Sequence, residues 1–406
     1  MMRRWISLAL ALALAAGCGE GDATSGAGSS DGSGDGGTTA APVDTVDRAA
    51  IVAAYDKAID FYKSKIDETG AVSLKGRPNV GFTALAAAAI AMRPGGVRAE
   101  DRDALDRALD FIAGSQQDNG GLYADDVPNY STSVSVLALT EGGRAKDDPT
   151  IERAVQFLKG MQFDEDAESV ARVDSGHPDY GGIGYGSSGT PDLSNTHYAL
   201  EALRAGGVAE DDEVFKKVVA FLERNQNLSE YNPGGVPLAG DATKRTRSGE
   251  DGGAGYMPGD SKAGVIENED GTVTLVSYGS MTYALLKCYI YAGVKKDDPR
   301  VQGALRWIRA NWTWDENPGF KNAEERRQGL YYYYGVAGLA LRAYGEPTIE
   351  DTDGVVHDWR WELAEKVISL QRADGTWMNE NDRWAEALPE VATAHALLAL
   401  ASCAGE

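Results

Sequence analysis

From residue 47 onward, two kinds of helical pattern alternate along the chain. The first is amphipathic. In 47–65, Ile51, Ala54, Tyr55, Ala58, Ile59 and Tyr62 recur three and four apart on one face, with charged residues between them. The same spacing marks 101–117, 148–162, 211–226, 298–312 and 359–371. The second kind is apolar and small on nearly every side, as in Thr83-Ala84-Leu85-Ala86-Ala87-Ala88-Ala89-Ile90. It recurs at 131–141, 194–205, 277–292, 330–344 and 391–404. A helix apolar all round must be buried, whereas an amphipathic one can face water. Six outer and six inner helices in strict alternation predict an all-α fold, an (α/α)6 toroid: a double ring with glycine-rich loops at its rim.

Local signals support these boundaries. Asp148-Pro149 and Asp298-Pro299 read as an N-cap followed by proline in the first turn. Gly142, Gly206, Gly293 and Gly345 close four inner helices and predict left-handed C-caps. Several outer helices end in Gln ahead of a turn of glycine and an aromatic residue. Gln371-Arg372-Ala373-Asp374-Gly375-Thr376-Trp377 is the clearest, and Gln116 to Tyr123 is a degenerate partner. Gly-Gly-x-Gly-Tyr appears at 181–185 and at 252–256. Glycine supplies the positive φ of a tight turn, and the Gln amide can bond the orphan carbonyls of its own helix. About 50 residues separate Gln226 from Ser277, far more than a normal connection. Within them, Glu269-Asp270-Gly271 between two β-rich runs predicts a hairpin.

These turns carry a resemblance. Gln371 to Trp377 fits the Gln-x-x-Asp-Gly-x-Trp repeat of squalene-hopene cyclases, and the Gly-Gly-x-Gly turns are similar to those of protein prenyltransferase β subunits. The chain from about residue 47 thus resembles the prenyltransferase/squalene oxidase repeat superfamily. That resemblance implies a toroid with a central cavity, into which inner-helix N-termini and long loops project. The chemistry of those families is not legible here. No Asp-x-Asp-Asp stands anywhere in the chain to protonate an alkene. The Asp, Cys and His set that holds a prenyltransferase zinc is missing too, since Leu286 stands two residues before Cys288. Neither a metal nor any other cofactor is expected.

The start of the chain is of another kind. Arg3 and Arg4 precede an apolar run from Trp5 to Ala16, about a dozen residues and too short to span a bilayer. Leu14-Ala15-Ala16-Gly17-Cys18 closes it in the manner of a bacterial lipoprotein signal, with Cys18 as the lipidated residue. Residues 1–17 therefore read as a signal peptide. Residues 18–46, rich in Gly, Ser, Asp and Thr, read as a flexible tether, and 47–406 as the toroid. An exported protein anchored on the periplasmic or cell-surface side of a bacterial membrane is the expectation. Removing Arg3 and Arg4 leaves 37 basic against 62 acidic residues, a formal charge of −25. That balance excludes nucleic acid as a partner. Cys288 and Cys403 lie inside inner-helix patterns of different repeats and read as buried free thiols.

The residues expected near the cavity are His177, Asp179 and Asp192 in the loop before the third inner helix, with Tyr185 from its glycine turn. His197, Tyr278, Tyr331, Tyr334 and His395 come from inner-helix starts, and Trp384 and Glu390 from the approach to the sixth. Aromatic rings can face hydrocarbon, cations or sugar rings, and histidines and carboxylates can move protons. Two functions stay open. One is a non-catalytic binding or scaffolding protein taking a peptide, a glycan or an apolar small molecule. The other is a divergent terpenoid-cyclase-like, prenyltransferase-like or polysaccharide-active enzyme. The missing acid motif and metal set favour the first.

Overall fold

The computed structural model describes residues 47–124, 127–186 and 189–405. Cys18, the signal and the tether lie outside them. The described residues form twelve α-helices in the expected alternation. The outer ones are α1 (Arg48–Lys65), α3 (Arg102–Gly114), α5 (Asp148–Lys159), α7 (Glu213–Asn225), α9 (Pro299–Ala310) and α11 (Trp359–Ser369). The inner ones are α2 (Val80–Ala91), α4 (Pro128–Gly142), α6 (Leu193–Ala205), α8 (Gly279–Tyr291), α10 (Leu330–Tyr344) and α12 (Pro389–Cys403). Each inner helix packs on the next, and α12 packs on α2 and α1, so the ring closes. In α2 every residue from Val80 to Ile90 is buried, whereas α3 buries only Ala104, Leu105, Ala108, Leu109 and Ile112. That contrast is the two-layer arrangement the hydrophobic pattern requires.

Among the described residues four short antiparallel hairpins lie in the loops. The first is β1 (Ser73–Leu74) with β2 (Arg77–Pro78), and the last is β7 (Ile349–Glu350) with β8 (Val356–His357). The long insertion holds the other two. In it β3 (Pro237–Leu238) pairs with β4 (Asp241–Arg245), and β5 (Val265–Glu267) with β6 (Val273–Leu275) around the Glu269-Asp270-Gly271 turn.

One hydrogen-bonding unit recurs around the ring. The Gln116 side-chain amide donates to the Gly120 carbonyl of its own turn (2.9 Å) and to Thr150 in the next outer helix (2.8 Å). Gln162 does the same with Gly181 and Val214, and Gln226 with Gly252 and Arg300. Gln371 closes the ring, donating to Gly375 (2.9 Å) and to Ala54 of α1 (2.7 Å). The glutamine thus bonds the neighbouring helix rather than the carbonyls of its own. The following glycine has positive φ at all four turns. A Cβ there would strike the backbone of that neighbour; at Gly375 it would lie 2.7 Å from the Lys57 carbonyl oxygen. An inner-helix threonine completes the unit. Thr83, Thr132, Thr196, Thr282 and Thr393 each accept the N–H of the residue that ends the turn, at 2.8–3.1 Å.

Some expected caps fall one residue away. Asp298 caps α9 by accepting the Arg300 N–H (2.9 Å). Asp148 is instead the first helical residue of α5, and the preceding Asp147 pairs with Arg144 (2.7 Å). Gly293 and Gly345 are left-handed, but the left-handed glycines after α4 and α6 are Gly143 and Gly207. Cys288 and Cys403 are buried free thiols. No described helix is long and apolar enough to cross a membrane.

Replacing Gly375 with Ala should cost at least about 3 kcal/mol in urea unfolding, because left-handed strain adds to the clash with Lys57. Gly76→Ala, equally left-handed but with open space around it, should cost about 1 kcal/mol.

Candidate functional site

The inner helices converge with their N-terminal turns around the ring axis, and those turns wall a cavity. Phe82 and Leu85 come from α2, Tyr130 from α4, Ser194, Asn195 and Tyr198 from α6, Ser280 and Met281 from α8, Tyr332 from α10, and Val391 and His395 from α12. Loops close the sides with Val127, Tyr185, Tyr256, Tyr278, Trp384, Ala385 and Glu386. The empty space is about 940 Å³, part of it open to solvent. A smaller apolar chamber of about 410 Å³ lies beside it, sharing Leu85 and Tyr198 and reaching Glu201. Lys287 of α8 neutralises Glu201 there through a buried ion pair of 2.7 Å.

The wall is aromatic and its polar groups are few. Tyr130 stands edge-on to Tyr198 (centroids 5.1 Å apart), and Tyr332 edge-on to His395 (5.5 Å). The Tyr332 hydroxyl meets His197 Nε2 at 2.7 Å and Ser194 Oγ at 2.9 Å. His197 is fully buried, and its Nδ1 has no partner. Burial holds both histidines neutral: it pushes His395 down to about 4 and, with the Lys287 charge adding to it, His197 well below its ordinary value. Among the described residues no lysine or arginine lines the cavity.

Among the described residues Glu386 is the one carboxylate in the wall. It follows two left-handed non-glycine residues, Trp384 (φ 59°) and Ala385 (φ 64°), a conformation that costs energy and clusters at functional sites. Its Oε1 accepts the Tyr332 N–H (2.7 Å) and its Oε2 the Asn379 side-chain amide (2.7 Å), so the carboxyl sits on the α10 N-terminus. Burial outweighs these bonds and pushes its pKa up to about 7. Asp192, the α6 N-cap, is fully buried behind Asn195. Burial pushes it up to about 6 against the opposing bonds from the Asn195 backbone and side chain (both 2.8 Å).

Of the residues expected from the sequence, Tyr185, Tyr278, Trp384 and His395 line the cavity. Asp192 and His197 stand directly behind its wall. Tyr331 and Tyr334 are buried away from it, and Tyr334 donates to the Trp314 carbonyl (2.7 Å). Tyr332, between them, is the ring of this run that reaches the cavity. Glu390 pairs with Lys65 (3.1 Å) at the closing seam. His177 and Asp179 form a partly exposed loop pair 3.8 Å apart, outside the wall. Sequence reasoning missed Glu386, Tyr332, Tyr130 and Phe82. The repeating threonine supplies the signal: the residue two after it faces the axis in Leu85, Val134, Tyr198 and His395. Tyr334 fills the threonine slot of α10, which puts Tyr332 in the slot of Tyr130, Ser194, Ser280 and Val391. Among the described residues no three His, Cys, Asp or Glu side chains converge on a metal position.

The squalene-hopene cyclase C-terminal domain family matches residues 52–234, somewhat under half of the chain. No curated protein matches it by sequence. The solved structures similar to it include the type II terpene cyclase MstE from Scytonema. One variant of that enzyme, in complex with geranylgeranyl dihydroxybenzoate, matches with a TM-score of 0.51 at 12% identity, covering 88% of this chain and 98% of that one. The apo enzyme matches with 0.50 at 11% identity over the same shares. At that identity the likeness shows the fold, which is the squalene cyclase/prenyltransferase-like α/α toroid.

An acid with a raised folded pKa holds more protons folded than unfolded between its ordinary 4.5 and about 7. The Glu386 contribution to stability should therefore decline as pH rises through that window and stay flat above it. Buried His395 has the opposite sign, its contribution being lost as pH falls toward 4. Unfolding of the wild type and of Glu386→Gln from pH 4.5 to 8 isolates the first effect. The difference should move against the wild type by on the order of 2–3 kcal/mol up to pH 7 and then level off.

Proposed function

Starting from the squalene cyclase/prenyltransferase-like toroid, we propose that this protein binds a neutral, largely hydrocarbon molecule of isoprenoid type in its axial cavity, without transforming it. The observation that carries this reading is the wall itself: tyrosine, phenylalanine and tryptophan rings, two neutral histidines behind or within it, and, among the described residues, no cation. Such a lining gains from burying apolar surface and offers nothing to pair with a diphosphate. The terpene cyclase of similar fold has been captured with geranylgeranyl dihydroxybenzoate. That complex supports a prenyl chain as a shape this architecture can enclose.

A second reading, a divergent cyclase, is favoured by one observation, the Glu386 carboxyl at the cavity wall. Its strength argues against it. An acid near 7 is only partly protonated at neutral pH and is a weak donor toward an alkene. Incubation with geranylgeranyl substrates should return them unchanged, and a cyclised product lost in Glu386→Gln would establish the second reading instead.

Quenching of tryptophan fluorescence by β-farnesene reports binding, since Trp384 lines the cavity. Leu85→Trp, at the residue shared by both chambers, should weaken binding at least tenfold by filling the space, with the helical circular dichroism kept. Farnesyl diphosphate should bind more weakly than the hydrocarbon.

The sequence supports a location as well. The Cys18 signal and the acidic, tether-borne domain suit a lipoprotein held on the outer side of a bacterial membrane. Cys18→Ser should move the protein from the membrane fraction to the soluble exported fraction, and membrane retention of that variant would contradict the anchor.

A further inference from the structure

The chain of hydrogen bonds from His197 through Tyr332 to Ser194 has a direction. His197 is sealed from solvent, faces the positive Lys287 and has no carboxylate partner, so it carries one ring proton. Were that proton on Nδ1, it would be a buried N–H facing only the residue's own backbone, outside hydrogen-bond geometry. Orphaned buried donors are rarer than orphaned acceptors. The proton therefore sits on Nε2 and is donated to the Tyr332 oxygen at 2.7 Å. The Tyr332 hydroxyl hydrogen then goes to Ser194 Oγ at 2.9 Å. Among the described residues Ser194 Oγ meets no second hydrogen-bond partner. Its own hydrogen is left over at the start of α6, on a residue that lines the cavity.

Resting on the hydrocarbon-binding reading above, we infer that the cavity recognises one acceptor oxygen on its ligand, a carbonyl or a hydroxyl, through the Ser194 hydroxyl held as a donor by Tyr332 and His197. A pure hydrocarbon would leave that donor unpaired against an apolar surface, which is unfavourable. A ligand oxygen at this wall satisfies it, while the remainder of the molecule lies against Phe82, Leu85 and Met281. The ligand class is thus a neutral isoprenoid alcohol or ketone, and not a hydrocarbon or a diphosphate.

The test uses the full chain carrying Cys18→Ser, with two probes of equal carbon count: β-farnesene, which has no oxygen, and farnesal, whose oxygen can only accept. Fluorescence titration should show farnesal binding roughly tenfold tighter than β-farnesene. Ser194→Ala should erase that preference, loosening the oxygen-bearing probe and tightening β-farnesene because no donor is left unpaired, whereas Ser194→Thr, which keeps the hydroxyl, should retain it. Equal binding of the two probes, or a preference that survives Ser194→Ala, would overturn the assignment while leaving hydrocarbon binding intact. Failure of both probes to bind would remove the reading on which it rests.

Discussion

At four of the six seams, an outer helix is held to the next by a single amide. The glutamine after it bonds its own turn and, around the ring, a carbonyl in the first turns of the following outer helix. A left-handed glycine lets the two backbones touch, and a threonine on the inner helix seizes the end of the turn. None of these bonds is strong alone, each contributing about 1 kcal/mol net. Repetition gives them their effect, because a ring must close on itself. Gln371 reaching Ala54, and Gly375 lying on Lys57, join residues more than 300 positions apart in sequence.

The same unit sets what the centre of the ring contains. By pinning one face of five of the six inner helices to its turn, the threonine fixes the helix's rotation, and so decides which side chains face the axis. Tyr130, Tyr198 and His395 are aimed inward for this reason. The inner helices also run with their N-termini at one rim, where each leaves backbone donors unpaired by its own helix. Glu386 satisfies those of α10 and Asp192 those of α6, which leaves an apolar lining with little free polarity.

Much of this is legible in the sequence. Alternating amphipathic and all-apolar helices require two layers, and glycine-punctuated pairs require a repeat. The long insertion announces its hairpin through Glu269-Asp270-Gly271. The cavity is legible only in part, for a physical reason. Four consecutive tyrosines on a helix spread about its axis, and which of them points inward depends on the helix's rotation. α10 lacks the threonine that marks that rotation elsewhere, so Tyr332 was hidden among its neighbours. Glu386 carries no local pattern at all. It becomes a cavity residue through the left-handed turn at Trp384 and Ala385, a conformation side chains rarely adopt. His177 and Asp179 misled by proximity in sequence alone, since their loop folds over the outside of the ring.

We propose that the closed, aromatic-walled ring encloses a site for one neutral lipid-like molecule. Native mass spectrometry of the protein purified from its own host, without added ligand, tests it most directly. The predicted spectrum holds a folded species carrying a single non-covalent neutral adduct that is released on denaturation. A folded protein at its bare mass, with no adduct gained on exposure to total lipid extract of the same cells, would contradict it.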